Sequence, residues 1–137
     1  MLEIQNRKSS FDYEILETVE AGIVLTGLEI KAIRAKRVSL ASSYVKILDG
    51  EAWWLGGIIE VVTGDIQRTR KLLLHKNELN RLSGRVGEQG LTLVVTRLII
   101  RRGKAKLEIG LGRGRKKHDK RELLKKRDIE RELSQQG

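Results

Sequence analysis

The sequence predicts a mainly β protein: a small closed antiparallel barrel of about six strands, with about three helices, the last of them in a C-terminal tail. Three observations predict it. Short stretches of alternating apolar and polar residues recur along the chain, with the period of half-buried strands. Two pairs of these stretches turn on Asp49-Gly50 and Arg102-Gly103, the two-residue connections that suit hairpins. And 137 residues make one domain with one core, in which closure removes the edges that short strands would otherwise expose. Spacing alone leaves OB-like and SH3-like barrels both open.

In chain order, the first strand is expected over residues 11–16, where Phe11, Tyr13 and Ile15 alternate with Asp12 and Glu14, and a short second strand over 22–25. Thr26-Gly-Leu-Glu29 has the form of a capping box. It opens a helix to about Lys36, with Leu28, Ile30 and Ile33 turned toward the core and Lys31 and Arg34 together on a neighbouring face. Strands over 43–48 and 51–55 flank Asp49-Gly50. That register sets Val45 against Trp54 and Ile47 against Ala52 inward, and leaves Tyr44, Lys46, Trp53 and Leu55 on the other face. Residues 70–74 read as a strand and 75–83 as a short helix, with Leu79 and Leu82 inward and Gly84 as its stop. In the second hairpin Leu98 opposes Leu107 and Ile100 opposes Ala105 inward, while Arg97 opposes Glu108 and Ile99 opposes Lys106 outward.

Lys and Arg total 28 against 18 Asp and Glu, a net charge of +10. Such an excess calls for a polyanionic partner, nucleic acid ahead of membrane. With no cysteine, disulfides, Cys-ligated zinc, iron–sulfur clusters and a thiol nucleophile are all excluded. His75 and His118 are the only histidines, too few for a histidine metal site, so neither metal nor cofactor is expected. No apolar run reaches membrane-spanning length, and the N-terminal MLEIQNRKSS lacks the apolar stretch of a signal peptide. The expectation is a soluble, monomeric cytoplasmic protein.

Charge is unevenly spread. Residues 1–111 carry 18 basic and 13 acidic groups, a net of +5, and residues 113–121 alone carry six basic groups and one acid, again +5. The chain therefore divides into a barrel over 1–111 and a basic tail over 112–137, with Gly110, Gly112 and Gly114 read as a flexible hinge. Leu123, Leu124, Ile129 and Leu133 form no clean stripe. The tail is accordingly expected to be disordered when free and helical on a partner.

No Ser/His/Asp arrangement, phosphate loop or metal-ligand cluster is present, so an enzyme is not expected. Glu29 and Glu78 read as surface ion-pair partners. Lys31, Arg34, Arg68, Arg70 and Lys71 are candidates for phosphate contacts or a solvated surface. Trp53, beside Lys46 and Tyr44, suits either a base-stacking platform or a second small core under a helix, with the core favoured; Trp54 reads as plain core. His75 fits hydrogen bonding at a helix start, and His118 within RKKHDKR fits either an incidental surface position or stacking on a base.

Several strings are more specific than this. Asn6-Arg-Lys8 precedes the first strand, and Glu20-Ala-Gly-Ile-Val-Leu-Thr-Gly27 leads into Glu29-Ile-Lys-Ala-Ile-Arg34. Ser43-Tyr-Val45, Arg68-Thr-Arg-Lys-Leu-Leu-Leu-His-Lys76, Gly90-Leu-Thr-Leu93 and Gly114-Arg-Lys-Lys-His-Asp-Lys-Arg121 follow. In this order, over residues 5 to about 131, the chain resembles the SsrA-binding protein family, small protein B, the protein partner of transfer-messenger RNA (tmRNA) in bacterial ribosome rescue. The resemblance implies an OB-like barrel that binds the tRNA-like domain of tmRNA. It also implies a tail that enters the vacant messenger channel of a stalled small ribosomal subunit. By position it places Asn6, Arg7, Glu20, Lys31, Arg34, Lys71, Leu73 and His75 toward tmRNA. Arg115, Lys116, Lys117, His118, Asp119, Lys120 and Arg121 fall toward the decoding centre and its ribosomal RNA. Residues 56–64 are shorter and more apolar than the family's usual loop, and the tail ends early, after Leu133. The rival reading is a generic OB-fold RNA-binding or ribosomal protein.

Overall fold

The computed structural model describes residues 1–136, with the side chains of Glu88, Gln89, His118, Gln135 and Gln136 outside the described set. Its elements are β1 (Leu2–Gln5), α1 (Arg7–Asp12), β2 (Tyr13–Ile23), α2 (Gly27–Arg34), β3 (Val38–Ser39), β4 (Tyr44–Leu48), β5 (Glu51–Leu55), β6 (Ile58–Ile59), β7 (Arg70–Leu73), α3 (Lys76–Gln89), β8 (Thr92–Arg101), β9 (Lys104–Gly114) and α4 (Lys117–Gln136).

Strands β8, β4, β5, β7, β2 and β9 pair in that order, and β9 pairs back onto β8, closing an antiparallel ring of six. The closure is uneven. One edge of β8 pairs with β9 from Thr92 to Arg101. Its other edge is divided between β1, which takes Arg97 to Ile100, and β4, which meets it only at Tyr44–Val94. β3 and β6 make a separate two-stranded sheet.

Both predicted hairpins form in the expected register. Asp49 and Gly50 have φ of 52° and 74°, and Arg102 and Gly103 have 53° and 76°. Positive φ at both central positions gives the turn whose twist matches that of the strands. The inward residues make the core: Ala21, Ile33, Val45, Ala52, Trp54, Ile59, Leu72, Leu82, Val95, Leu98, Leu107 and Ile109 are all buried in one cluster. The capping box at Thr26 is complete. Glu29 N–H donates to Thr26 Oγ1, and Thr26 N–H donates to Glu29 Oε1.

The structure departs from the sequence reading at several places. Phe11 and Asp12 belong to α1, and the two strands expected over 11–16 and 22–25 are one continuous β2. A bulge between Ile15 and Glu17 carries the pairing with β9 across the break in alternation. Helix α3 runs through Gly84 and ends at Gly90, whose φ is 62°. Leu82 in the core and Glu17 bound by Arg81 and Arg85 hold the helix, which offsets the glycine penalty of about 1 kcal/mol. Leu28 is exposed, and Ala32 takes its expected place in the core beside Ile33. Ile99 points outward by register yet is buried, covered from the flanking strands that pair with it at Glu3 and Lys106.

Gly110, Gly112 and Gly114 form no hinge: all three lie in β9 and pair with β2. A Cβ on Gly110 would come within 2.8 Å of Thr96 Cγ2, and one on Gly112 within 3.1 Å of Tyr13 Cβ. At Gly110 and Gly112 smallness serves close approach rather than flexibility. The barrel therefore extends to Gly114, three residues past the boundary at 111.

Candidate RNA-binding face

Register decides which predicted residues meet. On β7, Lys71 and Leu73 project outward, because Arg70 and Leu72 are in the core. Leu73 pairs with Gly22 of β2, so Glu20, two residues away on β2, shares their face. Glu20 is exposed and makes no ion pair or hydrogen bond among the described residues, leaving both oxygens free to accept. His75 continues the strand outward as the residue before α3. Its backbone N–H donates to Glu78 Oε1 at 3.1 Å, and its exposed side chain makes no cap hydrogen bond.

Helix α2 borders this face. Its Ile30 lines a shallow cleft with Gly22, Leu25, Leu73, Lys104 and Lys106, and the same helix carries the exposed Lys31 and Arg34. Lys106 comes to the face because β9 sets it opposite Gly22. In the sequence Lys106 is legible only as the hairpin partner of Ile99. The signal for its second neighbour is long-range pairing, which no local pattern contains.

A buried ion cluster fixes α2 in place. Arg70 is fully buried and Glu29 is 2% exposed; Arg70 Nε donates to Glu29 Oε2 at 2.6 Å and its Nη1 to Gly57 O at 2.9 Å. Arg68 bonds the same carboxylate and donates to Val24 O. Burial pushes the Glu29 carboxyl up. Hydrogen bonds from Arg68 and the Thr26 N–H, with the Arg70 guanidinium, outweigh it and hold the group below its ordinary 4.5. Neither Glu29 nor Arg70 is the surface group that the sequence suggested. Arg70 also lies over the Trp54 ring, 5.2 Å from its centre. The short segment after β5 is bound into the same cluster, for a Cβ on Gly57 would come within 2.1 Å of Trp54.

Asn6 and Arg7 lie apart from Glu20 and Leu73, at the start of α1. The Asn6 side chain is buried, and its Nδ2 donates to Val95 O at 2.8 Å and Leu40 O at 3.3 Å. It lines a second cleft with Lys8, Tyr13, Ser43 and Tyr44, at the β4–β8 closure.

The tail residues open α4, which packs its first turns on α1. Lys120 Nζ reaches Asp12 at 3.1 Å, and Lys120 and Arg127 lie over the Phe11 ring, 5.8 and 5.9 Å from its centre. Arg115 N–H donates to Asp12 O at 2.8 Å. Asp119 accepts from the Lys116 N–H at 3.3 Å, an acid where a helix N-terminus favours one. Lys116, Lys117 and Arg121 are exposed. The His118 side chain lies outside the described residues.

A closed barrel with free acceptors and cations on one outer face, continued by a basic helix, defines a nucleic-acid-binding module of the OB-like class. The SmpB protein family matches residues 3–137. The SsrA-binding protein of Synechococcus sp. (strain JA-3-3Ab) is 45% identical over 140 residues, covering 97% of this chain and 91% of its own. That of Streptococcus pyogenes serotype M49 is also 45% identical, over 96% of this chain and 89% of its own. A solved structure described as "tmRNA-SmpB: a journey to the center of the bacterial ribosome" superposes with a TM-score of 0.72 at 42% identity, covering 89% of this chain and 94% of that one. The chain belongs to the SmpB, or SsrA-binding protein, family.

Proposed function

We infer that this protein is the RNA-binding adaptor of trans-translation: it binds the tRNA-like domain of tmRNA and delivers it to stalled ribosomes. Family membership over nearly the whole chain, barrel and tail together, carries this reading. The outer face that gathers Glu20, Lys71 and Leu73, bordered by Lys31, Arg34 and His75, suits structured RNA. Its cations neutralise phosphates, and the free Glu20 carboxylate accepts from a base edge or a ribose hydroxyl. Asn6 and Arg7 form a second contact point around α1. Residues 115–121 bring five basic side chains and one acid, with the ring of His118, to the decoding centre and the empty messenger channel. The tail acts there as a helix, and in the free protein it exchanges with disordered states. The adaptor carries no chemical step and works as a cytoplasmic monomer. The test is binding of purified protein to tmRNA against excess bulk RNA. Retention of tmRNA at a hundredfold competitor excess supports the adaptor, and equal competition supports a generic RNA-binding barrel.

A further inference from the structure

The chain has five aromatic side chains, and four are accounted for. Trp54 is core, Phe11 lies under Lys120 and Arg127, and Tyr13 and Tyr44 line the cleft at the β4–β8 closure. Trp53 is the exception. It is half-buried on the outer face of β5 and belongs neither to the core cluster nor to the residues packed against it. Its register partners are Lys46 on β4 and Lys71 on β7. Their Cβ atoms therefore stand about 5 Å to either side of its own. Leu55 and Leu73 share this outer face, and Leu73 is 53% exposed.

An indole set between two lysines on an open sheet surface has the elements of a nucleotide site: a flat apolar platform for a base, with a cation at each edge for the phosphates before and after it. Lys71 is available for that role. Among the described residues its only ion pair is with Glu51, at 3.1 Å, and both side chains are more than 40% exposed. Such a pair contributes roughly 0–1 kcal/mol and exchanges readily for a phosphate. A protein partner fits less well, because cations at both flanks of the ring would have to be matched within a narrow apolar strip.

We propose that Trp53 is a base-stacking residue of the RNA-binding face, taking an unpaired base of the tRNA-like domain of tmRNA while Lys46 and Lys71 hold the flanking phosphates. The proposal rests on the reading that this face binds tmRNA. It extends the contact surface one strand beyond Lys71 and Leu73.

The test uses the full-length chain and a transcribed tRNA-like domain. Stacking quenches indole emission, and Trp54 is buried, so titration should quench the wild type and leave Trp53→Phe nearly unchanged. Trp53→Leu keeps apolar bulk without a π-face. It should weaken binding about 5- to 150-fold, or roughly 1–3 kcal/mol, with its thermal midpoint little moved, and Trp53→Phe should recover much of that loss. If Trp53→Leu binds within twofold while Lys71→Ala binds more weakly, the stacking proposal fails and the face stands. If Lys71→Ala, Glu20→Ala and Trp53→Leu all bind like wild type, the reading of the face itself fails. Loss of ribosome binding alone by Trp53→Leu would give the site to another partner and overturn the proposal.

Discussion

Glu20 is an acid in a basic protein, and it stands opposite a second acid, Glu108, across the β2–β9 ladder. Glu108 is paired with Arg97 at 2.7 Å, so Glu20 alone stays free for a ligand. Its replacement by alanine makes the protein more positive, which by electrostatics alone strengthens RNA binding. A lost hydrogen bond to a charged acceptor has the opposite sign. Glu20→Ala should weaken binding of the tRNA-like domain by about 1–3 kcal/mol in isothermal titration, and tighter binding by the mutant would refute the role. Glu29 shows why sequence pattern alone misjudges such residues. Glu29 and Glu20 are both acids in stretches that mix apolar and acidic residues, yet one is sealed against Arg70 and the other is open. Burial depends on residues 41 positions away, and local periodicity contains nothing of that. The consequence for stability is large. Glu29→Gln leaves Arg70 buried beside a neutral amide and should cost about 3–5 kcal/mol in urea unfolding. In the wild type the Glu29 carboxyl is lowered below 4.5. Its stabilisation is thus full above the unfolded value and lost as pH falls through the folded one. Acid unfolding should therefore begin below about pH 4.5 and be much flatter in Glu29→Gln, as read by far-ultraviolet circular dichroism against pH.

At the scale of elements, the legible parts were those whose information is local. The two hairpins and the α2 capping box are set by adjacent residues, and all three formed as read. The α1–β2 boundary and the end of α3 were not legible, because packing from distant strands overrides a weak local signal there. The same distinction governs the tail. Gly110, Gly112 and Gly114 look like a hinge in sequence, but the contacts with Thr96, Ile15 and Tyr13 require strands β8 and β2 to be in place. A truncation that separates tail from body must fall after Gly114, since cutting at 112 removes part of β9. The shortened protein should keep tmRNA affinity within about threefold, some 0.65 kcal/mol, because the barrel face is intact. It should fail to support tagging of stalled nascent chains in reconstituted translation. Normal tagging would mean that the tail is dispensable. A large loss of tmRNA affinity would mean that the α1–α4 contact, through Asp12 and Lys120, contributes to the RNA face.

At the scale of the molecule, the charge of +10 is divided between barrel and tail, and salt dependence tests whether the two have separate targets. On the barrel, Lys31, Arg34, Lys46, Lys71, Lys104 and Lys106 lie on or beside the outer face. Each phosphate they contact releases condensed counterions, so log K falls with log salt by about 0.7–0.9 per contact, between single-strand and duplex values. Four to six contacts give a slope of about −3 to −5 for the full chain with the tRNA-like domain. The protein truncated after Gly114 loses four of the ten net positive charges but none of these residues, and should show the same slope within about one unit. A contact model based on net charge alone predicts that the slope falls by about two fifths. Parallel plots for the two proteins would place tmRNA binding on the barrel face, and a slope near zero for both would show that charge neutralisation contributes nothing to it.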